Sequence, residues 1–172
     1  MGITYKVFNG PAPTTAVLAP VTTGTSLKTM LQLAPNIDII VTGWGCSFNG
    51  SAAATPGSVE LIDTGTVFAT VTAFAAADVQ PQNNPYAPAN TSGSTGVPLG
   101  LGAALSGYTA SAEGTITAGR LAASEQVAPT NQFWLQLPLG REFGVQSGHC
   151  LRMRMLFGTA VSALCYVEFE KA

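Results

Sequence analysis

Apolar and polar positions alternate in short bursts along this chain, and Gly, Pro, Asn and Ser separate the bursts. That is the pattern of short strands joined by turns. Residues 3–8 are β-formers in partial alternation, stopped by Asn9-Gly10-Pro11. Residues 15–23 are β-branched but broken by Pro20, which predicts an edge strand or an extended arm. Residues 26–33 place Leu27, Met30 and Leu31 at helical spacing, yet read equally well as a strand. Residues 37–48 predict a central strand, with Ile37, Ile39 and Val41 on one parity. Within it, Gly43-Trp44-Gly45 predicts a bulge or a close backbone approach. Residues 59–62 and 66–72 predict a hairpin around Asp63-Thr64-Gly65, and residues 108–112 and 115–117 a second around Glu113-Gly114. Residues 75–78 suit a single helical turn. Residues 132–137 form a strand ended by Pro138, and strands at 142–146, 150–157 and 162–170 close the chain. The last two predict a third hairpin around Gly158-Thr159.

About eight to ten strands of this kind argue for an all-β fold, a jelly-roll-like β-sandwich or barrel. No repeat and no domain boundary is visible. Residues 1–172 read as one β domain, with an extended N-terminal arm within 1–35 and a long loop at 80–107.

Charge changes the picture. Only 9% of the residues are charged, against about a quarter in a typical soluble domain, while 47% are apolar. The formal net charge is −2, and residues 79–112 carry no charge. A free monomer keeps itself soluble with interspersed charges. This composition therefore points to an assembled subunit, a closed homo-oligomer. The charge-free loop at 80–107 lacks the Glu and Lys of a solvated linker, so it is expected to order against a neighbouring subunit. The N-terminal residues show no basic segment followed by an apolar run, so no secretory signal is expected. No run is long enough to span a membrane as a helix.

Candidate chemistry is sparse. Arg152 and Arg154 sit at period two, as do Glu168 and Glu170. In the predicted terminal hairpin Arg152 faces Glu170 and Arg154 faces Glu168, a pair of cross-strand ion pairs. The same register puts Cys150 and Cys165 on opposite faces, out of bridging reach. Cys46, Cys150 and Cys165 read as buried thiols. His149 beside Cys150 would suit a Cys–His nucleophile, but adjacent strand residues diverge, so a turn or strand-start histidine is the reading taken. Trp44, Trp134 and Tyr108 are candidates for an aromatic platform; Trp44 and Trp134 otherwise read as core. No phosphate-binding or nucleophile motif is present. No catalytic, metal or cofactor site is expected, and two arginines on a net acidic chain leave no basic footprint for nucleic acid.

Several segments carry a resemblance. They are Pro138-Leu139-Gly140-Arg141-Glu142-Phe143, then Gly148 with Leu151-Arg152-Met153-Arg154, then Tyr166-Val167-Glu168-Phe169-Glu170. Gly43-Trp44-Gly45-Cys46-Ser47-Phe48 and Val59-Glu60-Leu61 share the flavour. Together they resemble small β-rich virion structural proteins of tailed bacteriophages. The resemblance implies a jelly-roll-like fold and a non-enzymatic role as a decoration or cement protein on the outer capsid surface. It implies the major capsid protein as partner, a trimer as the favoured oligomer because capsids offer three-fold positions, and synthesis in the host cytoplasm. A minor tail or baseplate protein and a carbohydrate-binding module are the alternatives. The resemblance carries over no functional residue.

Overall fold

The computed structural model describes residues 2–51, 53–83 and 96–172. Thirteen strands and one 3-10 turn run in the order β1 (Thr4–Phe8), β2 (Val21–Thr22), β3 (Lys28–Leu33), β4 (Ile39–Asn49), β5 (Gly57–Asp63), β6 (Thr70–Ala73), the turn Ala76–Asp78, β7 (Gln80–Pro81), β8 (Gly107–Ala112), β9 (Arg120–Val127), β10 (Gln132–Gln136), β11 (Phe143–Val145), β12 (Leu151–Leu156) and β13 (Ser162–Lys171). The fold is all-β, two antiparallel sheets packed as a sandwich. Sheet A has the order β10-β4-β13-β1-β7, with β11 also on β4 and β2 also on β13. Sheet B has the order β6-β8-β3-β12-β5-β9. Among the described residues no helix is long and apolar enough to cross a membrane.

Eight of these strands nest. β1 pairs with β13, β3 with β12, β4 with β10 and β5 with β9, first with last and inward to the middle. Each successive pair lies on the opposite sheet. The chain thus behaves as one long hairpin rolled onto itself, and most of its pairings are distant in sequence.

This nesting overturns all three predicted hairpins. β5 pairs with β12 and β9, whereas β6 pairs with β8 at the far end of the same sheet. The Asp63-Thr64-Gly65 turn exists, with Gly65 at φ +60 and its N–H donated to Asp63 Oδ1 at 2.8 Å. Its outgoing chain crosses the sheet instead of returning beside β5. Residues 115–117 form no strand after Gly114. β12 and β13 belong to different sheets, so the step around Gly158-Thr159 crosses the sandwich. Residues 26–33 resolve as a strand, and the extended arm shrinks to residues 10–20. β1 and β3 are integral strands, not arm.

The core lies between the sheets. β13 alternates strictly, burying Ala163, Cys165, Val167 and Phe169 and turning Leu164, Tyr166 and Glu168 outward. β4 carries one extra residue opposite the Glu168/Phe169 step, since Glu168 pairs with Gly43 and Phe169 with Val41. That bulge at Thr42 shifts the inward parity, so Ile39 and Val41 precede it and Trp44 and Cys46 follow. Trp44 packs on Phe133 with ring centroids 4.9 Å apart. Asn9 closes the gap where β1 leaves β13. Its Nδ2 donates to Ala163 O at 2.9 Å, and its Oδ1 accepts from Cys165 N at 2.9 Å.

The loop expected to order against a neighbour packs in part on its own chain. Val97, Leu99 and Ser106 are fully buried, and Leu99 bridges Pro35. Gly100 N–H donates to Ala34 O at 2.8 Å. Residues 84–95 of that loop lie outside the described residues.

Candidate functional site

The outer faces of the two sheets differ. Sheet B is covered by its own chain. Gln32 Nε2 donates to Ala69 O and to Leu105 O, while its Oε1 accepts from Ala69 N at 2.9 Å. Arg152, paired with Gln32 in register, is fully buried on the same face. It donates to Glu113 O at 2.8 Å and to Val67 O, and reaches Glu113 Oε2 at 3.5 Å. Glu113 also accepts from Thr29 N and Thr29 Oγ1. This outer face is a second, polar interior.

The expected ion pairs are accordingly corrected. Arg152 meets Glu113, not Glu170, and Arg154 meets Glu60 across β12 and β5. Glu168 takes Lys6 Nζ at 2.8 Å across β13 and β1. Glu170 lies opposite Thr4. The hairpin logic failed because these strands sit on opposite sheets.

His149 also has an unforeseen partner. Its Nδ1 lies 3.2 Å from both carboxylate oxygens of Asp63, a nearly buried residue that also meets Arg120 Nη2 at 3.3 Å. Arg120 stacks on Phe143, 4.1 Å from its centroid, and donates to Gly144 O. These groups border a cleft of about 460 Å³ with Asp38 and Gln146. Asp63 is saturated by Gly65 N–H, Arg120 and His149, so the cluster ties the ends of β5 and β9 to the start of β12. It presents no nucleophile. Cys150 is fully buried and holds Arg152 Nε at 3.5 Å. Among the described residues, no group of three His, Cys, Asp or Glu is placed to hold a metal ion.

All three thiols are free and buried. Cys46 and Cys165 face each other across β4 and β13. Burial pushes the Cys46 thiol up to about 12 and Cys165 well above its ordinary value. Cys165 lies on β13 of sheet A and Cys150 immediately precedes β12 of sheet B, which separates them more firmly than the expected register did.

Sheet A leaves its outer face open. Trp134 on β10, Gly45 on β4, Tyr166 on β13 and Phe8 on β1 stand in one row, since each is the register partner of the next. Tyr166 leans over Gly45. A Cβ on Gly45 would meet Tyr166 Oη and Cε1 at 2.9 Å. Lys6 Nζ covers the Tyr166 ring at 3.8 Å and Phe8 tilts against it at 5.9 Å. Trp134 is 64% exposed. The row borders a groove of about 380 Å³ with Ser47, Gln132 and Leu164. The core reading holds for Trp44 and is corrected for Trp134. Trp44 is a core residue at 1% exposure, and Tyr108 packs on Phe74 at 5.6 Å beside sheet B. Trp134 is the exposed one of the three, while Tyr108 stays half-buried; on its face Trp134 is joined by Tyr166 and Phe8, whose alternation in β13 and β1 was the available signal.

One flank is also bare. β9 and β10 are edge strands of the two sheets, joined by residues 128–131. From residue 114 to residue 144 only Val127 and Pro129 are buried. Leu121, Leu135 and Leu139 are exposed there, Leu139 at 96%. Between Leu121 and Gly140 the only charge is Glu125.

No protein-family model, curated protein or solved structure matches the chain.

Proposed function

We propose that this protein is a non-catalytic structural subunit of a phage particle, a decoration or cement protein that docks on the outer capsid surface and closes into a homotrimer. The observation that carries the reading is the β9–β10 flank. Two adjacent edge strands expose Leu121, Leu135 and Leu139 with one charge among them. Proteins that stay single protect such edges with charge, proline or cover. A subunit uses them, and an exposed apolar patch is the usual mark of a protein contact. The opposite edge of the sandwich supports the contrast, because residues 96–106 already pack there against β3, β6 and β8.

The nested strand order fits the jelly-roll reading, in which the chain pairs first strand with last. Cations are also engaged. Lys6, Arg120, Arg152 and Arg154 each face a carboxylate. That arrangement favours a protein shell as partner over nucleic acid or a lipid surface.

Light scattering and binding to purified empty phage shells test the reading. We expect a trimer that binds heads, and loss of both on introducing Leu121→Asp with Leu139→Asp while the β-rich spectrum persists. A monomer that ignores shells overturns it. Labelling confined to tails would reassign the protein to the tail or baseplate.

A further inference from the structure

We propose that the groove on the outer face of sheet A is a binding site for an uncharged saccharide, with Trp134 as its stacking platform. Three observations converge. The first is the aromatic surface. Trp134 is the most exposed ring of the row, and among the described residues no other ring packs on it. A sugar ring offers an apolar C–H face that matches such a surface, and tryptophan at a wet boundary serves one apolar and one polar neighbour.

The second is the supply of hydrogen-bonding groups. The side chains of Gln132, Ser47 and Tyr166 border the groove. Gln132 and Ser47 flank the row as register partners. The Tyr166 hydroxyl is held over Gly45 toward Trp134, because Gly45 has no side chain to displace it. An amide and two hydroxyls both donate and accept, which suits sugar hydroxyls that do the same. A few placed polar groups around an apolar wall is the usual build of a small-molecule site, and about 380 Å³ lies within its size range.

The third is charge. No ionised side chain borders the groove. The neighbouring Lys6 and Glu168 neutralise each other at 2.8 Å. An acidic or basic ligand finds no partner here, and a neutral one incurs no desolvation of unpaired charge.

The groove shares β10 with the docking flank, but Leu121 and Leu139 do not border it, so the two readings can be tested apart. The test uses the full chain on an array of neutral and acidic glycans, followed by titration with soluble neutral oligosaccharides. Retention on immobilised polymer without binding of short oligosaccharides identifies a surface polysaccharide as the source; binding of both identifies the saccharide itself. Trp134→Ala is expected to weaken binding by about tenfold or more, Trp134→Phe by less, and Gln132→Ala several-fold without lowering the thermal midpoint. Leu121→Asp with Leu139→Asp is expected to leave binding unchanged even where it abolishes shell docking. The proposal is overturned if no neutral glycan binds at millimolar concentration, if only acidic glycans bind, or if Trp134 is quenched by self-association or a peptide and not by sugar.

Discussion

Arg152 and Glu113 are joined beneath a covered sheet face. The guanidinium of a fully buried strand residue donates to the carbonyl of Glu113 at 2.8 Å and lies 3.5 Å from its carboxylate. Residues from four distant segments meet there, since Val67 O and Thr29 share the network.

Removing one member of a buried pair strands the other, and such losses run to about 3–5 kcal/mol. We expect Arg152→Ala to cost on that order in denaturant unfolding. Glu113 is one-third exposed, so Glu113→Gln is expected to cost less, roughly 1–3 kcal/mol. Arg152→Met combined with Glu113→Gln should recover part of the Arg152→Ala loss. Near-neutral Arg152→Ala would show that the network contributes nothing.

The two tryptophans should separate cleanly. Trp44→Ala empties a core site and is expected to cost about 3–5 kcal/mol. Trp134→Ala is expected to stay within about 0.5 kcal/mol. Acrylamide quenching should act mainly on Trp134 in the native protein. Equal quenching of both residues would contradict the buried position of Trp44.

Alkali should destabilise the fold. Burial raises Cys46 from 9.0 to about 12, and burial likewise raises Cys150, Cys165, Tyr5, Tyr108 and Tyr166. A folded-state pKa above the unfolded one means that the native state holds protons the unfolded chain releases. For Cys46 this stabilisation is complete below pH 9 and is lost as pH climbs from 9 toward about 12. We expect the thermal midpoint to fall across that window. Native thiols should resist alkylation at neutral pH and react on unfolding. Rapid native labelling would refute the burial.

Gly45 is a position where a side chain has no room. A Cβ there meets Phe133 O at 2.8 Å and the Tyr166 ring at 2.9 Å. Gly45→Ala is expected to cost about 1–3 kcal/mol and to move Tyr166. Gly144→Ala has nothing within 4 Å and should change stability by no more than about 0.5 kcal/mol. Matched melts of the two variants make the comparison.

The local pattern of this chain determined its all-β character, most of its strands and the inward faces within them. β4 was legible because its alternation is long and apolar, and Gly43 and Gly45 correctly announced a bulge and a close approach. The covered loop and the three hairpins were not legible. Alternation fixes which face of a strand is buried, but it does not choose the neighbouring strand. That choice depended on how the whole chain buries both sheets at once. Hence β5 took β9 and β12, and β12 left β13 for the other sheet. The same tertiary step buried Arg152 and exposed Trp134, although one is charged and the other apolar. Arg152 could be buried because Val67 and Glu113 arrive over its face to satisfy it, whereas no segment of the described chain covers the face of β10 that carries Trp134.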